Sequence, residues 1–568
     1  MSPPLHAVGL LAILLAIPSC ANDPGMDAPG QEGDPQTTGA SAKAGNAHET
    51  GDMEPFVLEP EDLTNRVSGW RGNGRSRFDR RPITIAWGVK SRGHSVFGVS
   101  GLAGSAWQWV EDWFAPYAPS PGLMNVVWKT KLSSWSNASP IVYEDHIYTT
   151  IEPTTIAALD RKTGRVVWTK TSDYLDTLSG PAHAKAVANQ ERAQSLEDQI
   201  AQDQREVNRL RRDLRRVNAP DSIEDELEKI NGRLDSAKQE FVSLQRGETT
   251  ERGDIIGYAS ATPVASELGV FAVFGNGVVS RFGHDGERIW SRWLGKPAPA
   301  MRGYETGHAT SPLLVDGVLI VGFGHLRGLD ARTGEERWVG PQWREFGNLS
   351  VATVAGQPLV ICPMGEVVRP RDGRILSKDL PSLIYLGATT ERDRVYMVGN
   401  QPREKSEAEP RMAKAFRLLP DGPDSVKVEE LWESTPPKER EYAQPLVWDG
   451  RLLSLNKECL LTTRNLETGE LLETVDICGD NRCMPPCFSS PTAAADYAFL
   501  CGADGRTVVM PAGGTKIERV NQLDAGRANL LFDDNLLFIR TLSHVVAVGL
   551  TPRAPFYPNQ APRRPLEQ

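Results

Sequence analysis

Six cysteines in the C-terminal half of this 568-residue sequence are the residues whose type and spacing most suggest chemistry. Thiolates in paired C-x-x-C spacing bind zinc, whereas an even number of cysteines in an exported protein favours disulfides. The run "CGDNRCMPPC" (478–487) lacks that paired spacing and has no histidine nearby, so we interpret the cysteines as disulfide-forming. The candidates are Cys362, Cys459, Cys478, Cys483, Cys487 and Cys501, and their pairing is left open.

A second pattern occurs twice, as "ALDRKTGRVVW" (158–168) and "GLDARTGEERW" (328–338). A catalytic motif usually occurs once, so a recurring motif indicates architecture. The aspartate can accept hydrogen bonds from the following tight turn, and the glycine suits a positive φ. The tryptophan then packs between neighbouring repeats. The predicted docking residues are Asp160, Gly164, Trp168, Trp290, Asp330, Gly334, Trp338 and Trp432.

Other catalytic signatures are weak. The sequence has no Walker-type phosphate loop and no HExxH motif. His308, beside the Ser311-Pro312 strand start, is a candidate channel-facing ligand, but a lone histidine is more often structural. The net charge of −10 argues against a nucleic-acid partner.

The recurring motif belongs to a longer repeat of about 45 residues, the length of a four-stranded propeller blade. Each copy has short apolar strands separated by Gly and Asp turns. The last copy supplies only three strands, and "NVVWKTKL" (125–132) has the character of the absent fourth. We therefore expect an all-β, eight-bladed β-propeller of four-stranded antiparallel blades, closed by strands from both ends. The copies lie at 136–170, 260–290, 307–340, 349–376, 384–432, 442–473, 489–520 and 526–550.

Residues 186–246 interrupt the repeat between the first two blades. Apolar residues there recur in alternating steps of three and four, and "NAPDS" (218–222) separates two such stretches. The pattern predicts an inserted antiparallel α-helical coiled-coil hairpin, and Pro220 ends its first helix. Arginines of "RLRRDLRR" (209–216) are expected to pair with the acidic residues just past the turn. The hairpin is either a docking element for a partner or a decorated loop.

The N-terminus resembles a bacterial lipoprotein signal over residues 1–20, with Cys20 as the lipidation site; an ordinary cleaved signal is the alternative. Residues 21–55 have the composition of a flexible tether. The aromatic-rich segment 56–124 is expected to pack on the propeller (125–550), and 551–568 form a Pro-rich tail.

Ala158, Asp160, Thr163, Gly164 and Trp168 together resemble the tryptophan-docking motif of the PQQ-like, quinoprotein-type eight-bladed propellers. The stretch "WRGNGRS" (70–76) resembles a segment that often precedes the propeller in secreted bacterial members. The superfamily includes quinoprotein alcohol dehydrogenases and a non-enzymatic lipoprotein of the outer-membrane β-barrel assembly machine.

The resemblance implies that a dehydrogenase would need an adjacent Cys-Cys pair, calcium ligands and an aspartate base. The sequence has no Cys-Cys pair and no acidic cluster that maps onto such ligands. We therefore expect a non-catalytic, lipid-anchored envelope scaffold without a cofactor. It would bind envelope proteins at the outer membrane, and the hairpin is a candidate for that contact. The alternatives are a PQQ- and calcium-dependent oxidoreductase, or binding of a small molecule or polysaccharide in the channel.

Overall fold

The computed structural model describes most of the chain from residue 123 onwards and short stretches before it. The described residues are 68–69, 71, 76–78, 84, 86–89, 123–215, 222–244, 256–295, 309–343, 346–402, 410–477, 487–512, 517–526, 529–533 and 536–549. Cys20, the predicted signal and tether, most of the aromatic-rich segment, His308 and the C-terminal tail lie outside these residues.

The strands form eight sheets in which sequence neighbours pair, which confirms the predicted eight-bladed propeller. We number the blades from the first complete one. Blade 1 comprises Ile141–Tyr143, His146–Ile151, Thr155–Asp160 and Val166–Thr171. Blade 2 comprises Val264–Ser266, Gly269–Val273, Val278–Phe282 and Arg288–Trp293. Blade 3 comprises Leu313–Val315, Val318–Phe323, His325–Asp330 and Glu336–Gln342. Blade 4 comprises Ser350–Val354, Gln357–Ile361, Val367–Val368 and Ile375–Ser377.

The remaining blades follow the same pattern. Blade 5 comprises Thr389–Glu391, Arg394–Asn400, Arg411–Pro420 and Val426–Glu433. Blade 6 comprises Leu446–Trp448, Arg451–Leu455, Leu460–Asn465 and Leu471–Asp476. Blade 7 comprises Thr492–Ala494, Tyr497–Cys501, Arg506–Pro511 and Arg519–Gln522. Blade 8 comprises Leu531–Asp533, Leu536–Arg540 and His544–Val548, with Val126–Lys131 as its fourth strand.

Blade 8 joins the two ends of the propeller. Val126–Lys131 runs antiparallel to His544–Val548, with Trp128 opposite Ala547. The sheet edge that each strand would otherwise expose is therefore paired, which protects it from other chains.

Blade 7 departs from the four-stranded pattern, because its sheet carries three additional short strands from the N-terminal side. Arg77–Phe78 pairs parallel with the first strand, and Gly88–Val89 pairs parallel with the fourth. Leu123–Met124 then pairs with Gly88–Val89.

The first strand of each blade is innermost, because first strands of neighbouring blades contact one another. The core lies between the blades as a series of apolar clusters. One cluster joins Ile147 and Leu159 of blade 1 to Phe538 and Val545 of blade 8. Burial between blades, rather than within a single sheet, therefore holds the ring together.

Two helices occupy the predicted insertion: α1, Gly180–Leu214, and α2, Ser222–Leu244. They follow a short 3-10 turn, Tyr174–Thr177, and α1 has Pro181 in its first turn, where proline is tolerated. Val207 and Leu210 of α1 form an apolar cluster with Ile230 and Leu234 of α2. Within the described residues, no helix is long and apolar enough to cross a membrane.

Candidate functional site

The recurring Asp-x-x-Thr-Gly motif forms a tight turn between the third and fourth strands. In blade 1, Asp160 Oδ1 accepts hydrogen bonds from the Thr163 backbone N–H at 2.7 Å and from the Thr163 hydroxyl at 2.7 Å. The hydroxyl bond is the main reason why the pKa of Asp160 lies below its usual value. Gly164 closes the turn at φ +72°. In blade 3, Asp330 Oδ1 likewise accepts the Thr333 backbone N–H and Gly334 closes the turn at φ +72°, whereas the Thr333 hydroxyl donates to Glu335.

Five turn glycines each receive an indole from the preceding blade. An added Cβ on these glycines would lie 2.5 to 2.8 Å from an indole carbon, so only glycine allows the contact. The indole N–H also donates to a backbone carbonyl of the neighbouring blade, as from Trp290 to Ala331 at 3.2 Å. The pairs are Trp128 with Gly164, Trp168 with Gly286, Trp290 with Gly334, Trp338 with Gly373, and Trp432 with Gly469.

Trp128 is a further docking residue, outside the set predicted from the sequence. Its ring lies over Gly164, and its Nε1 donates to the Arg161 carbonyl at 3.3 Å. Trp128 therefore docks blade 8 onto blade 1, just as Trp168 docks blade 1 onto blade 2. The signal that could have identified it is its position in the fourth-strand sequence "NVVWKTKL".

A second ring of contacts begins two residues before each first strand. At this position the backbone N–H of one blade donates to a side-chain oxygen of the next blade, over 2.7 to 3.1 Å. Several of these residues precede proline, which holds them extended. In blade 5 the position is Gly387, which has no side chain to continue the series. The participating residues are Ser139, Thr262, Ser311, Asn348, Gln444, Ser490 and Asn529.

The described residues on either side of "WRGNGRS" pair with the inner edges of two blades. Ser68 exchanges backbone hydrogen bonds with Ala265 on the inner edge of blade 2, at 2.9 and 2.7 Å. Further along, Arg77–Phe78 pairs with the inner edge of blade 7. Phe78 also contacts Phe532 of blade 8, with ring centroids 5.6 Å apart. Since these edges border the axis, the chain itself occupies part of the central channel.

The same stretch carries a buried cation. Arg71 is 1% exposed, and its Nε donates to the Ser76 hydroxyl at 2.7 Å. Burial lowers the pKa of Arg71 to about 9. Arg77, by contrast, pairs with Glu391 of blade 5 at 3.1 Å. The described residues Ser68, Arg77 and Phe78 therefore contact blades 2, 5, 7 and 8 between them.

A buried acid and base lie between blades 5 and 6. Glu441 is 1% exposed, and burial raises its pKa to about 8, although the nearby Arg464 opposes the shift. Arg464 donates to the Thr462 hydroxyl at 2.9 Å and to the Thr435 carbonyl at 2.9 Å. This pair lies within the packed interior and is not part of an acidic ligand cluster.

The ion pairs between the helices differ from those expected. Arg233 of α2 forms a bidentate pair with Asp203, a carboxylate that is 2% exposed within the apolar seam of α1. Arg192 pairs with Glu240 at 2.7 Å. Arg209 forms its ion pair with Glu206 on its own helix, and Glu226, past the turn, acts on Arg209 only through its charge. The paired positions run in opposite directions along the chain, so the helices are antiparallel.

The cysteines form one disulfide among the described residues. Cys459 and Cys487 are bonded, with Cα atoms 5.9 Å apart. Cys362 and Cys501 form no disulfide within the described residues. Cys362 lies in the apolar cluster between blades 3 and 4, and the Cys501 thiol contacts the Thr507 hydroxyl at 3.4 Å. Cys478 and Cys483 lie outside the described residues.

No three His, Cys, Asp or Glu side chains in the part of the chain described come together as metal ligands. Glu441, whose pKa burial raises to about 8, lies in the packed interior of the protein. The axial space at blades 2 and 7 is bordered by the chain's own segment.

The eight blades, the indole-on-glycine contacts and the closure by both ends define an eight-bladed β-propeller. The family model described as "Outer membrane protein assembly factor BamB" matches residues 124–204 and 236–376, which is less than half of the chain. No curated protein matches the sequence.

Several solved structures are similar to the chain in fold. BamB from Moraxella catarrhalis is 11% identical, covers 77% of this chain and 99% of its own, and gives a TM-score of 0.43. Quinohemoprotein alcohol dehydrogenase ADHIIG from Pseudomonas putida HK5 is 11% identical, covers 78% of each chain, and gives a TM-score of 0.36. A europium-containing methanol dehydrogenase is 11% identical, covers 72% of each chain, and gives a TM-score of 0.30.

Proposed function

We propose that the protein is a non-catalytic scaffold of the cell envelope that binds other proteins. The observation that carries this proposal is the pairing of Ser68 and of Arg77–Phe78 with the inner strands of blades 2 and 7. A cofactor bound on the axis would compete with this segment for space. The binding surfaces of such a propeller are then its outer faces and its helical insertion.

The chemistry of the side chains supports the same proposal. A quinone-dependent reaction needs metal ligands and a catalytic base whose side chains converge on a single site. In the described residues, the motif aspartates serve the turns: Asp160 and Asp330 are each satisfied by the backbone N–H groups that follow them. These carboxylates are structural, because their hydrogen bonds hold the turn that receives the next indole.

The helices are the docking element in this proposal. We infer that α1 and α2 form a coiled-coil hairpin, since Val207, Leu210, Ile230 and Leu234 bury their side chains against one another. This packing leaves mainly charged side chains on the outside, with Val242 an exposed exception at 64%. A charged hairpin surface suits a transient, polar interface with a partner.

The proposal places the protein at the outer membrane. Cys20 would carry the lipid and residues 21–55 would form the tether, while 551–568 would be a free tail. The family model that matches the propeller describes an outer-membrane assembly factor, which supports an envelope location. Mass spectrometry of the mature N-terminus tests the lipid on Cys20.

Deletion of the helices tests the docking role. Replacing Gly180–Leu244 with a short glycine-serine linker should leave the propeller folded, because the strand pairing of blades 1 and 2 does not involve the helices. The variant should lose a protein that co-purifies with the full chain from envelope extracts. An unchanged set of co-purifying proteins would contradict the docking role.

A second experiment tests the absence of catalysis. The full chain is incubated with PQQ and calcium, and dye-coupled oxidation of alcohols is measured. We expect no turnover above that of a heat-denatured sample. Clear turnover would overturn the scaffold proposal in favour of a quinone-dependent oxidoreductase.

A further inference from the structure

Aromatic side chains occupy the same position in four successive blades. The position lies four residues before the first strand, on the face where the first strands begin. In blades 4 to 7 it holds Phe346, Tyr385, Tyr442 and Phe488, which we call the aromatic arc. In blades 1, 2, 3 and 8 the sequence places Asn137, Ser260, Ala309 and Arg527 there.

The rings of the aromatic arc lie side by side. The ring centroids of Tyr385 and Tyr442 are 5.5 Å apart, and those of Tyr442 and Phe488 are 5.3 Å apart. The loop of Phe346 is next in the row, because a Cβ added to Gly347 would lie 2.5 Å from the carbonyl oxygen of Leu386. The arc therefore follows the mouth of the ring from blade 4 to blade 7.

The aromatic arc is not part of the apolar packing between the blades. Residues beside the rings, such as Leu386, Ala443 and Cys487, are buried in the clusters that join the blades. The four rings themselves are half-buried, and none of them belongs to a cluster among the described residues. Their accessible part is an aromatic surface of the kind that dominates binding at protein interfaces.

The backbone that carries the rings is fixed. The residues before Tyr385 and Tyr442 form isolated β-bridges with the ends of the second strands of their blades. Cys487, before Phe488, is bonded to Cys459. Tyr385 also has φ +75°, an unusual conformation for a bulky residue, and such conformations cluster at ligand sites. Rings held in this way lose little entropy when they bind a ligand.

The C-terminal tail of the chain has the sequence pattern that aromatic surfaces bind. The stretch "TPRAPFYP" (551–558) places proline at every third position, at Pro552, Pro555 and Pro558. A polyproline II helix has three residues per turn, so these prolines share one face and recur about every 9 Å. The Tyr385 and Phe488 rings are at most about 11 Å apart, which accommodates two prolines one turn apart.

The tyrosines add a polar contact to this match. The backbone carbonyls of a polyproline II helix have no internal hydrogen bonds, and the hydroxyl groups of Tyr385 and Tyr442 can donate to them.

Charges at the two ends of the aromatic arc set the direction of the bound segment. At the Phe488 end, Glu458 is exposed next to Cys459 and forms no ion pair among the described residues. At the other end, the Arg440 guanidinium lies over the Tyr385 ring at 5.5 Å. Arg553, which follows Pro552, is attracted to Glu458 and repelled by Arg440. Pro552 therefore lies on Phe488, and the later prolines point towards Tyr385 and Phe346.

A molecule cannot place this segment on its own arc. The third strand of blade 8, His544–Val548, runs parallel to the first and ends on the opposite face. From Gly549 to Pro558 a polyproline II segment reaches about 28 Å. The way round the rim adds the height of a five-residue strand, about 17 Å, to the return across four strands spaced about 4.8 Å, which exceeds that reach. The tail, which is free in a single molecule, is thus presented to a second copy.

We propose that the aromatic arc of one molecule binds residues 552–558 of a second copy in the polyproline II conformation. The contact is head-to-tail, because it joins opposite faces of two propellers. The helices α1 and α2 take no part in it, so the scaffold function stands or falls separately.

The first test measures binding of a fluorescein-labelled peptide of residues 551–561 to a chain that ends at Leu550, by fluorescence polarisation. This chain keeps every described strand, because the last one ends at Val548. We expect saturable binding that is at least about tenfold weaker for Tyr442→Ser. Tyr143→Ser is the matched control and should bind normally, because Tyr143 is a half-buried tyrosine on the opposite face whose ring stacks on His284 at 4.9 Å.

Two results of this test overturn the proposal. The first is absence of binding by the wild-type arc, as would happen if Pro485 and Pro486, next to Phe488, already covered the rings. The second is equal binding of a peptide in which the three prolines are replaced by alanine. Unfolding of Tyr442→Ser in urea at the wild-type midpoint shows that its loss of binding is not a loss of fold.

A charge exchange tests the direction of the bound segment. Glu458→Arg should weaken binding of the wild-type peptide, and a peptide with Arg553→Glu should restore it. Glu458 is exposed, so this variant keeps the packing of the blades. Equal affinities of both peptides for both chains would overturn the assigned direction.

Sedimentation velocity tests whether the tail comes from a second copy. The full chain should associate as its concentration rises, whereas the chain ending at Leu550 and the full-length Tyr442→Ser variant should each remain monomeric. An equimolar mixture of these two should form a 1:1 complex, because one supplies the arc and the other the tail. A full chain that stays monomeric, although its arc binds the peptide once the tail is removed, would show that the tail occupies its own arc and would overturn the proposal.

Discussion

Replacing Gly334 with alanine measures how much an indole contact contributes to the stability of the ring. Gly334 has φ +72°, and an added Cβ would stand 2.7 Å from the Trp290 ring. Gly317, in the same blade, has φ +70° but no atom within 4 Å of its would-be Cβ. The two substitutions therefore share their backbone cost and differ in the indole contact.

The shared cost is about 1 kcal/mol, since alanine is disfavoured in the left-handed region. Burying an indole of roughly 150–250 Å² at about 25 cal/mol per Å² contributes about 4–6 kcal/mol as an upper bound. Retreat of the Trp290 ring by less than about 1 Å forfeits roughly a quarter to a half of its contact energy. We expect Gly334→Ala to lower the free energy of unfolding by about 2–4 kcal/mol, and Gly317→Ala by about 1 kcal/mol.

Equilibrium unfolding in guanidinium chloride, followed by tryptophan fluorescence and circular dichroism, measures both losses. Coincident transitions by the two probes are required for the comparison. In a Trp290→Leu background, Gly334→Ala should cost only the backbone contribution, because the ring that it displaces is gone. Equal losses for Gly334→Ala and Gly317→Ala would refute the assignment of these glycines as indole-docking positions.

Further predictions concern groups buried elsewhere. Glu441 has a folded pKa of about 8, above its unfolded value, so the folded state holds a proton that the unfolded state releases. Stability should therefore fall as pH rises from about 4.5 to about 8, by at most about 1.4 kcal/mol per pH unit, and urea titrations of Glu441→Gln should show a flatter pH profile. Arg233→Met should lower the melting temperature of the helices more than Asp203→Asn, because only Arg233→Met leaves the buried Asp203 carboxylate without its partner. Similar melting curves for the two variants, measured by far-ultraviolet circular dichroism, would argue that this ion pair does not stabilise the helices. Burial raises the pKa of Cys501 to about 12 and that of Cys362 well above its usual value, so iodoacetamide should label both thiols only after denaturation, as peptide mapping would show.

The blades and their turns can be predicted from the sequence because that information is local. Asp160, Gly164 and Trp168 lie within one turn and one strand, so their spacing repeats wherever the structure repeats. The docking role of Trp128 could not be predicted in this way. The first three strands of its blade lie at the other end of the chain, from Leu531–Asp533 to His544–Val548. The strand itself can be recognised as the missing fourth, but no Asp-x-x-Thr-Gly turn precedes Trp128 in the sequence to mark it as a docking residue.

Non-local pairing explains what could not be predicted. Arg77–Phe78 is a two-residue strand, too short for any alternation of apolar and polar residues. Its place inside the ring follows from backbone hydrogen bonds with blade 7, which any sequence can make. The start of α1 at Gly180 is also invisible to the heptad pattern, because its first turn carries Pro181 and no heptad residues.

The free cysteines differ from expectation because an even number of cysteines is compatible with disulfides but does not specify distance. Cys362 is held in a strand-to-turn connection within an apolar cluster, and Cys501 ends the second strand of blade 7. Their neighbours are set by the order of blades around the ring, which no cysteine spacing encodes.

The pairing of Val126–Lys131 with His544–Val548 determines when the molecule can finish folding. These strands lie at opposite ends of the propeller sequence, so their association must wait until nearly all of its blades have been synthesised. Contacts of such long range form slowly, and the incomplete chain meanwhile exposes unpaired strands that invite aggregation. A nascent molecule of this kind needs protection by chaperones until its last blade is available, and truncation before Val548 should prevent assembly rather than merely shorten the product.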